Sequence, residues 1–126
     1  MTARQYEQEA SVSSDNSGQT ARFEPVSDEA AWERLLDQSE QAPVMLFKHD
    51  PHCSISAAAH QQMEQVDANI ALVDVSTQHA LGRLIARQTG IRHESPQVLI
   101  LRDRKPVWSA SHWAIEAKAV RKAVAR

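Results

Sequence analysis

Between Ser27 and the C-terminus the chain alternates two kinds of apolar pattern, and that alternation limits the fold more than any other feature. Val44-Met45-Leu46-Phe47 and Val98-Leu99-Ile100-Leu101 are short continuous apolar runs, and Ile70 to Val75 is nearly one. Runs of this length suit strands covered on both faces. Between and before them, apolar residues recur at helical spacing. The first such stripe is Ala31, Trp32, Leu35 and Leu36, the second Ile55, Ala58, Ala59, Met63 and Val66, the third Leu81, Leu84 and Ile85. Ser27 is placed to cap the first helix, with Asp28 and Glu29 in its first turn; Ser76 or Thr77 opens the third, which Gly90 ends. The period then changes. Arg102-Asp103-Arg104-Lys105 reads as a polar turn and Pro106 to Ala110 as a fourth strand, which its proline confines to an edge or a start. Ser111 is expected to cap a last helix carrying Trp113, Ala117, Val120 and Val124.

The predicted order is helix, strand, helix, strand, helix, strand, strand, helix, with a short strand near Arg22–Pro25 as a possible fifth. Parallel crossovers put the first two buried strands side by side, and the closing hairpin completes the sheet. The fold class expected is α/β: a thioredoxin-like arrangement with a central four- to five-stranded mixed sheet and helices on both faces. A chain of 126 residues has room for one such domain, assigned to 22–126. Residues 1–21 are rich in Ser, Gln, Glu and Thr, and Val12 is their only branched aliphatic residue, so a disordered polar tail is expected there.

Composition narrows the function. Lys+Arg total 14 against 16 Asp+Glu, which argues against a nucleic-acid binder working by phosphate neutralisation. No apolar stretch approaches the roughly 20 residues of a spanning helix, and the first twenty residues, with Arg4, Glu7, Glu9 and Asp15, lack a signal peptide's apolar core. Neither a nucleic acid nor a membrane is therefore an expected partner, and the reducing cytoplasm is the expected compartment. A strip of basic residues from Arg83 to Lys105 reads as a solvated face.

The chain has one cysteine. That excludes an intrachain disulfide, a CxxC redox pair and a zinc site built on several thiolates. Two readings of the thiol remain, half-buried filler or working nucleophile. Cys53 falls between the first buried strand and the next helix, where free N–H groups and the helix dipole favour the thiolate that attacks disulfides. Ligand sites of open α/β sheets also lie at the carboxyl ends of strands. Lys48, His49 and His52 are near enough in sequence to add positive charge, and His52 is expected to face solvent.

Ser95-Pro96 stands directly before a buried strand. Such a proline is usually trans and simply begins the strand; in a thioredoxin-like topology the position is that of a cis proline facing the active-site thiol, with the Ser95 main chain free to pair with a bound disulfide. His49, His52, Cys53 and His60 invite a metal reading, but their spacings match no standard site, and no metal is expected. No phosphate-cradling glycine loop, G-x-S-x-G elbow or H-E-x-x-H occurs. Trp32 and Trp108 are expected in the core, and so is Trp113, for which helping to close the site is the alternative.

Three stretches then resemble one family. Phe47-Lys48-His49 followed by Cys53-Ser54-Ile55-Ser56-Ala57-Ala58-Ala59, then Thr89 to Gln97, then Trp108-Ser109-Ala110-Ser111-His112-Trp113 are similar to segments of the bacillithiol-system YtxJ family, the monothiol bacilliredoxins. The resemblance implies a thioredoxin-like fold whose single cysteine reduces mixed disulfides between proteins and bacillithiol. By it, Cys53 is the nucleophile, Ser56 occupies the place of a resolving cysteine, and Pro96 is the cis proline. It further implies thiolated client proteins as partners, bacillithiol or a similar low-molecular-weight thiol as co-substrate with no resident cofactor, and regeneration by that thiol or a separate reductase. Ser54 stands where the family usually has proline, and Asp50-Pro51-His52 departs from its usual loop. The alternative function is a redox-sensing or adaptor domain whose cysteine is thiolated without turnover.

Overall fold

Alternation along the strands divides the apolar residues between two cores. In the computed structural model, which describes residues 21–126, strand β2 (Val44–His49) sends Leu46 to one face and Met45 and Phe47 to the other. Strand β4 (Gln97–Arg102) does the same with Leu99 and Leu101 against Val98 and Ile100. Strand β3 (Asn69–Asp74) gives Ala71 and Val73 to the first core and Ile70 to the second. Helices α1 (Glu29–Gln38) and α3 (His79–Thr89) cover the first face with Trp32, Leu35, Leu36, Leu81 and Ile85. Helices α2 (Ser54–Met63) and α4 (Ala117–Val124) cover the second with Ala59, Met63, Ala117, Val120 and Ala123. Each fully buried Leu, Ile or Phe contributes about 1.5–3 kcal/mol of transfer free energy, which is why both stripes of each strand are fixed in register.

The sheet has the order β1-β3-β2-β4-β5, with β1 (Arg22–Pro25) and β5 (Lys105–Ser111) at its edges. β1 and β2 each run parallel to β3, while β4 is antiparallel to both β2 and β5. The mixed sheet with helices on both faces is the arrangement expected from the patterns, and the short fifth strand is present. Pro106 lies on an edge strand, beside a register shift between Ile100 and Leu101. The expected tail over 1–21 lies, but for residue 21, outside the described residues.

Several helix starts differ from expectation. Asp28, not Ser27, caps α1, its carboxylate accepting from the Ala31 N–H at 2.8 Å. Ser76 and Thr77 form a turn around Asp74, and α3 begins only after Gln78. The largest difference is at the last helix. β5 runs on to Ser111, His112 adopts a left-handed backbone (φ 55°), and a short 3-10 turn over His112–Ala114 precedes α4. Ser111 therefore ends a strand instead of capping a helix, and Glu116 stands before α4. Trp113 consequently leaves the helical stripe and is 68% exposed, with Ile115 taking the core position. Trp32 is fully buried, its indole N–H donating to Gln88 Oε1 at 2.7 Å, and Trp108 packs half-buried against the second core.

The β4–β5 hairpin turns through Asp103 and Arg104, both at positive φ (52° and 67°) without the glycine such turns favour. Buried Ser39 at the end of α1 holds it. Its carbonyl accepts from the Asp103 N–H and its Oγ from the Arg104 N–H, both at 2.8 Å, while the hydroxyl donates to Leu36 O. Arg104 also pairs with Glu33 and Asp37 of α1. Ser39→Ala removes the acceptor of a partly buried N–H, so the unfolding free energy from urea titration should fall by about 1–3 kcal/mol; a change within about 0.5 kcal/mol, typical of an uninvolved surface site, would show that this clasp does not hold the turn.

Candidate active site

Strand β2 ends at His49, and the Asp50-Pro51-His52 turn delivers Cys53 to the N-cap of α2. The Cys53 backbone is extended (φ −113°, ψ 129°), and its side chain makes no capping bond. Its N–H donates to Asp50 O at 3.1 Å, and its carbonyl accepts from the Ala57 N–H at 2.9 Å. The thiol is half-buried and unpaired, at the helix end where main-chain N–H groups outnumber their intrahelical acceptors. The His52 N–H donates to Asp50 Oδ1 at 2.9 Å, which shapes the turn and leaves the His52 residue exposed, as expected.

Ser56 is fully buried and committed to this turn. Its Oγ accepts from the Asp50 N–H at 2.9 Å and lies 2.7 Å from His49 Nδ1. The His49 ring packs 5.2 Å from Phe47 and 4.9 Å from His60, measured between ring centroids. Burial, and then the nearby His60, hold the His49 pKa below its ordinary value, against opposing pulls from Asp74 and Asp50. His60 itself stacks on Phe23 at 4.4 Å and pairs with Glu64 at 2.9 Å. Among the described residues no three His, Cys, Asp or Glu side chains form a group able to hold a metal ion.

The strand register brings the second half of the site to the same end of the sheet. Lys48 pairs with Gln97 across β2 and β4, so the next step along each strand sets Pro96 beside His49, where the cysteine turn begins. The Ser95–Pro96 peptide bond is cis. Pro96 is buried and its carbonyl accepts from the His112 N–H at 3.0 Å. Neither main-chain polar group of Ser95 bonds to another backbone group among the described residues, and its buried Oγ has no partner. The fold thus collects Cys53, Ser56, Ser95 and Pro96 at one sheet end from two loops some forty residues apart in sequence.

Sequence reasoning missed a polar cluster behind this end. Lys48 is fully buried, with its Nζ 3.0 Å from Gln97 Oε1 and 3.1 Å from His93 Nδ1. Gln97 is buried too and donates from Nε2 to Arg92 O at 2.9 Å and Ser111 Oγ at 3.3 Å. Burial lowers the Lys48 pKa to about 8, although Glu94 pulls the other way. Strand alternation was the available signal: with Phe47 in the second core, Lys48 must face the first, away from His49.

Both His49 and His93 have folded-state pKa values below 6.5, His93 chiefly through burial and then through Lys48. Such groups bind protons better in the unfolded chain, so their neutral-state stabilisation is complete above pH 6.5 and is lost as pH falls through and below it. Tm should therefore drop on acidification from pH 7.5 towards 5, before the carboxylates titrate, and the His49→Gln/His93→Gln double variant should show a flatter profile. Parallel profiles would mean that neither imidazole is held neutral.

The comparisons with known proteins bear on the fold and the family. A solved structure described as a candidate oxidoreductase with a thioredoxin fold superimposes with TM-score 0.75 at 26% identity, covering 80% of this chain and 92% of that one. Thioredoxin from Fasciola hepatica matches with TM-score 0.64 at 15% identity over 81% of this chain and 96% of its own. Spinach chloroplast thioredoxin f gives TM-score 0.61 at 18% identity, over 85% of this chain and 94% of its own. The fold is thus that of thioredoxin. The sequence profile of the monothiol bacilliredoxin BrxC family matches residues 24–120, a span that includes the cysteine turn, both loops of the site and most of the sheet. The chain belongs to the monothiol bacilliredoxin family of thiol–disulfide exchange proteins.

Proposed function

We propose that the protein removes bacillithiol, or a similar low-molecular-weight thiol, from protein mixed disulfides through Cys53. The observation that carries this reading is a lone, half-buried thiol at the start of α2, at the sheet end to which the strand register also brings a cis proline, whose neighbour Ser95 bonds to no other backbone group among the described residues. In the step proposed, the Cys53 thiolate attacks the bacillithiol sulfur of the mixed disulfide. A new Cys53–bacillithiol disulfide forms, the old S–S bond breaks, and the client leaves as a thiolate that takes a proton from water. The Ser95 main chain and Pro96 flank the disulfide, and exposed His52 borders the entry side. Ser56 cannot resolve the product: its hydroxyl is no thiol and is bonded into the turn.

The thiolated domain must then be regenerated by a second low-molecular-weight thiol or a separate reductase, so that thiol is a co-substrate and no resident cofactor is needed. Thiolated client proteins are the partners, and the reducing cytoplasm is the compartment in which an unpaired thiol persists. Among the described residues no helix is long and apolar enough to cross a membrane.

The test is transfer. A client carrying a bacillithiol mixed disulfide, mixed with the reduced protein, should lose its adduct as Cys53 gains it, read by intact-mass spectrometry. Cys53→Ser should reduce transfer to the uncatalysed background. A Cys53 that reacts with iodoacetamide but never accepts the label would overturn the proposal, and label accepted once without thiol-driven turnover would instead mark a redox sensor.

A further inference from the structure

We propose that Lys48 is a positioning residue of the exchange site: through Gln97 and His93 its side-chain nitrogen fastens the 91–96 loop, and with it Ser95 and Pro96, to β2. The inference rests on the proposed exchange function for its consequence, but not for the fastening itself.

A lysine on the central strand with 0% exposure needs a reason, because burying an ammonium is costly where an apolar side chain would pack well. No carboxylate among the described residues forms an ion pair with Lys48. Its partners are two neutral acceptors, the Gln97 amide oxygen and the His93 Nδ1. Both lead to one loop. Gln97 follows Pro96 directly and, through Nε2, grips Arg92 O; His93 is itself a loop residue. Between Arg92 and Ser95 no backbone–backbone bond occurs among the described residues, so side chains set the path of this segment. Gly82 of α3 makes room for the contact, since a Cβ there would lie 3.1 Å from His93 Cε1. Lys48 faces the first core and its contacts run to the loop, not to the thiol.

The fastening uses His93 as an acceptor and so requires it neutral. His93 faces Lys48 from β2, Arg83 and His79 from α3, and Glu94 within the loop; Lys48 faces His93 and Glu94. This mostly cationic surround opposes protonation of His93. When acid does protonate the ring, Nδ1 stops accepting, the two cations repel, and the loop is released.

Lys48→Met keeps an unbranched side chain, one heavy atom shorter, and removes the donors. Its exchange rate constant with a protein mixed disulfide should fall roughly ten- to a hundred-fold, the effect of misplacing a positioning group, while iodoacetamide alkylation of Cys53, which does not use the loop, stays within about twofold. Backbone 15N order parameters of residues 91–95 should fall with those of β3 retained, and the His93 titration seen by NMR should move up because Lys48 no longer repels its proton. His93→Leu, at an exposed position that does not threaten folding, should show a smaller change of the same sign and remove the acid-induced loosening of the loop. Unchanged loop order parameters in both variants, or exchange and alkylation falling in parallel, would overturn the inference. A wild-type protein that accepts no thiol would sink the exchange function alone, and the loop order parameters with the His93 titration would still decide the fastening.

Discussion

Strand β2 lies between parallel β3 and antiparallel β4, and both of its faces are buried. A strand so enclosed has no solvent side to absorb an error, so a one-residue slip would exchange the contents of the two cores. Leu46 would leave Trp32 and Leu35 while Phe47 would leave Met63 and Val120. That constraint fixes where the strand stops, and its stopping point decides where Cys53 stands. The thiol's position is thus a consequence of core packing four to eight residues upstream, transmitted through a turn closed by the Ser56 hydroxyl and the Cys53 N–H.

Much of this was legible in the sequence because it is local. Continuous apolar runs marked the buried strands, and the change of spacing after Leu101 marked the hairpin. The final helix was misread because Trp113, Ala117, Val120 and Val124 keep helical spacing across a chain that is not helical at Trp113. Spacing cannot report that β5 continues to Ser111 or that His112 turns left-handed; pairing with Gln97 extends the strand, and that pairing is a tertiary fact. The helix starts moved for a related reason. Ser27 and Asp28 are both good caps, and Asp28 serves because its carboxylate reaches the Ala31 N–H.

The candidate site was legible in its parts but not in its assembly. Cys53 announced itself as the only thiol, and Pro96 became notable only once a topology was in hand, since a proline before a strand is ordinarily trans. The ties between Lys48, His93 and Gln97 span forty-five and forty-nine residues and carry no sequence signature of their own. Ser56 illustrates the opposite case. Its position implied a vacated resolving role, whereas its contacts give it a present one, as the acceptor that closes the cysteine turn and the partner of His49.

Adjacent residues at the end of β2 thereby serve the two loops separately. His49, on the face of α2, supports the cysteine turn through Ser56; Lys48, on the opposite face, supports the proline loop through Gln97 and His93. One strand end therefore sets the position of both halves of the site, and any shift along it moves both together. Each arm also includes an imidazole, His49 bonded to Ser56 and His93 accepting at Nδ1 from Lys48, and both rings are held below the ordinary histidine pKa by burial and neighbouring cations or histidines. Acid removes the acceptor from the second arm, because a protonated His93 no longer accepts from Lys48, so the proline loop loosens as the pH falls through and below the ordinary histidine range.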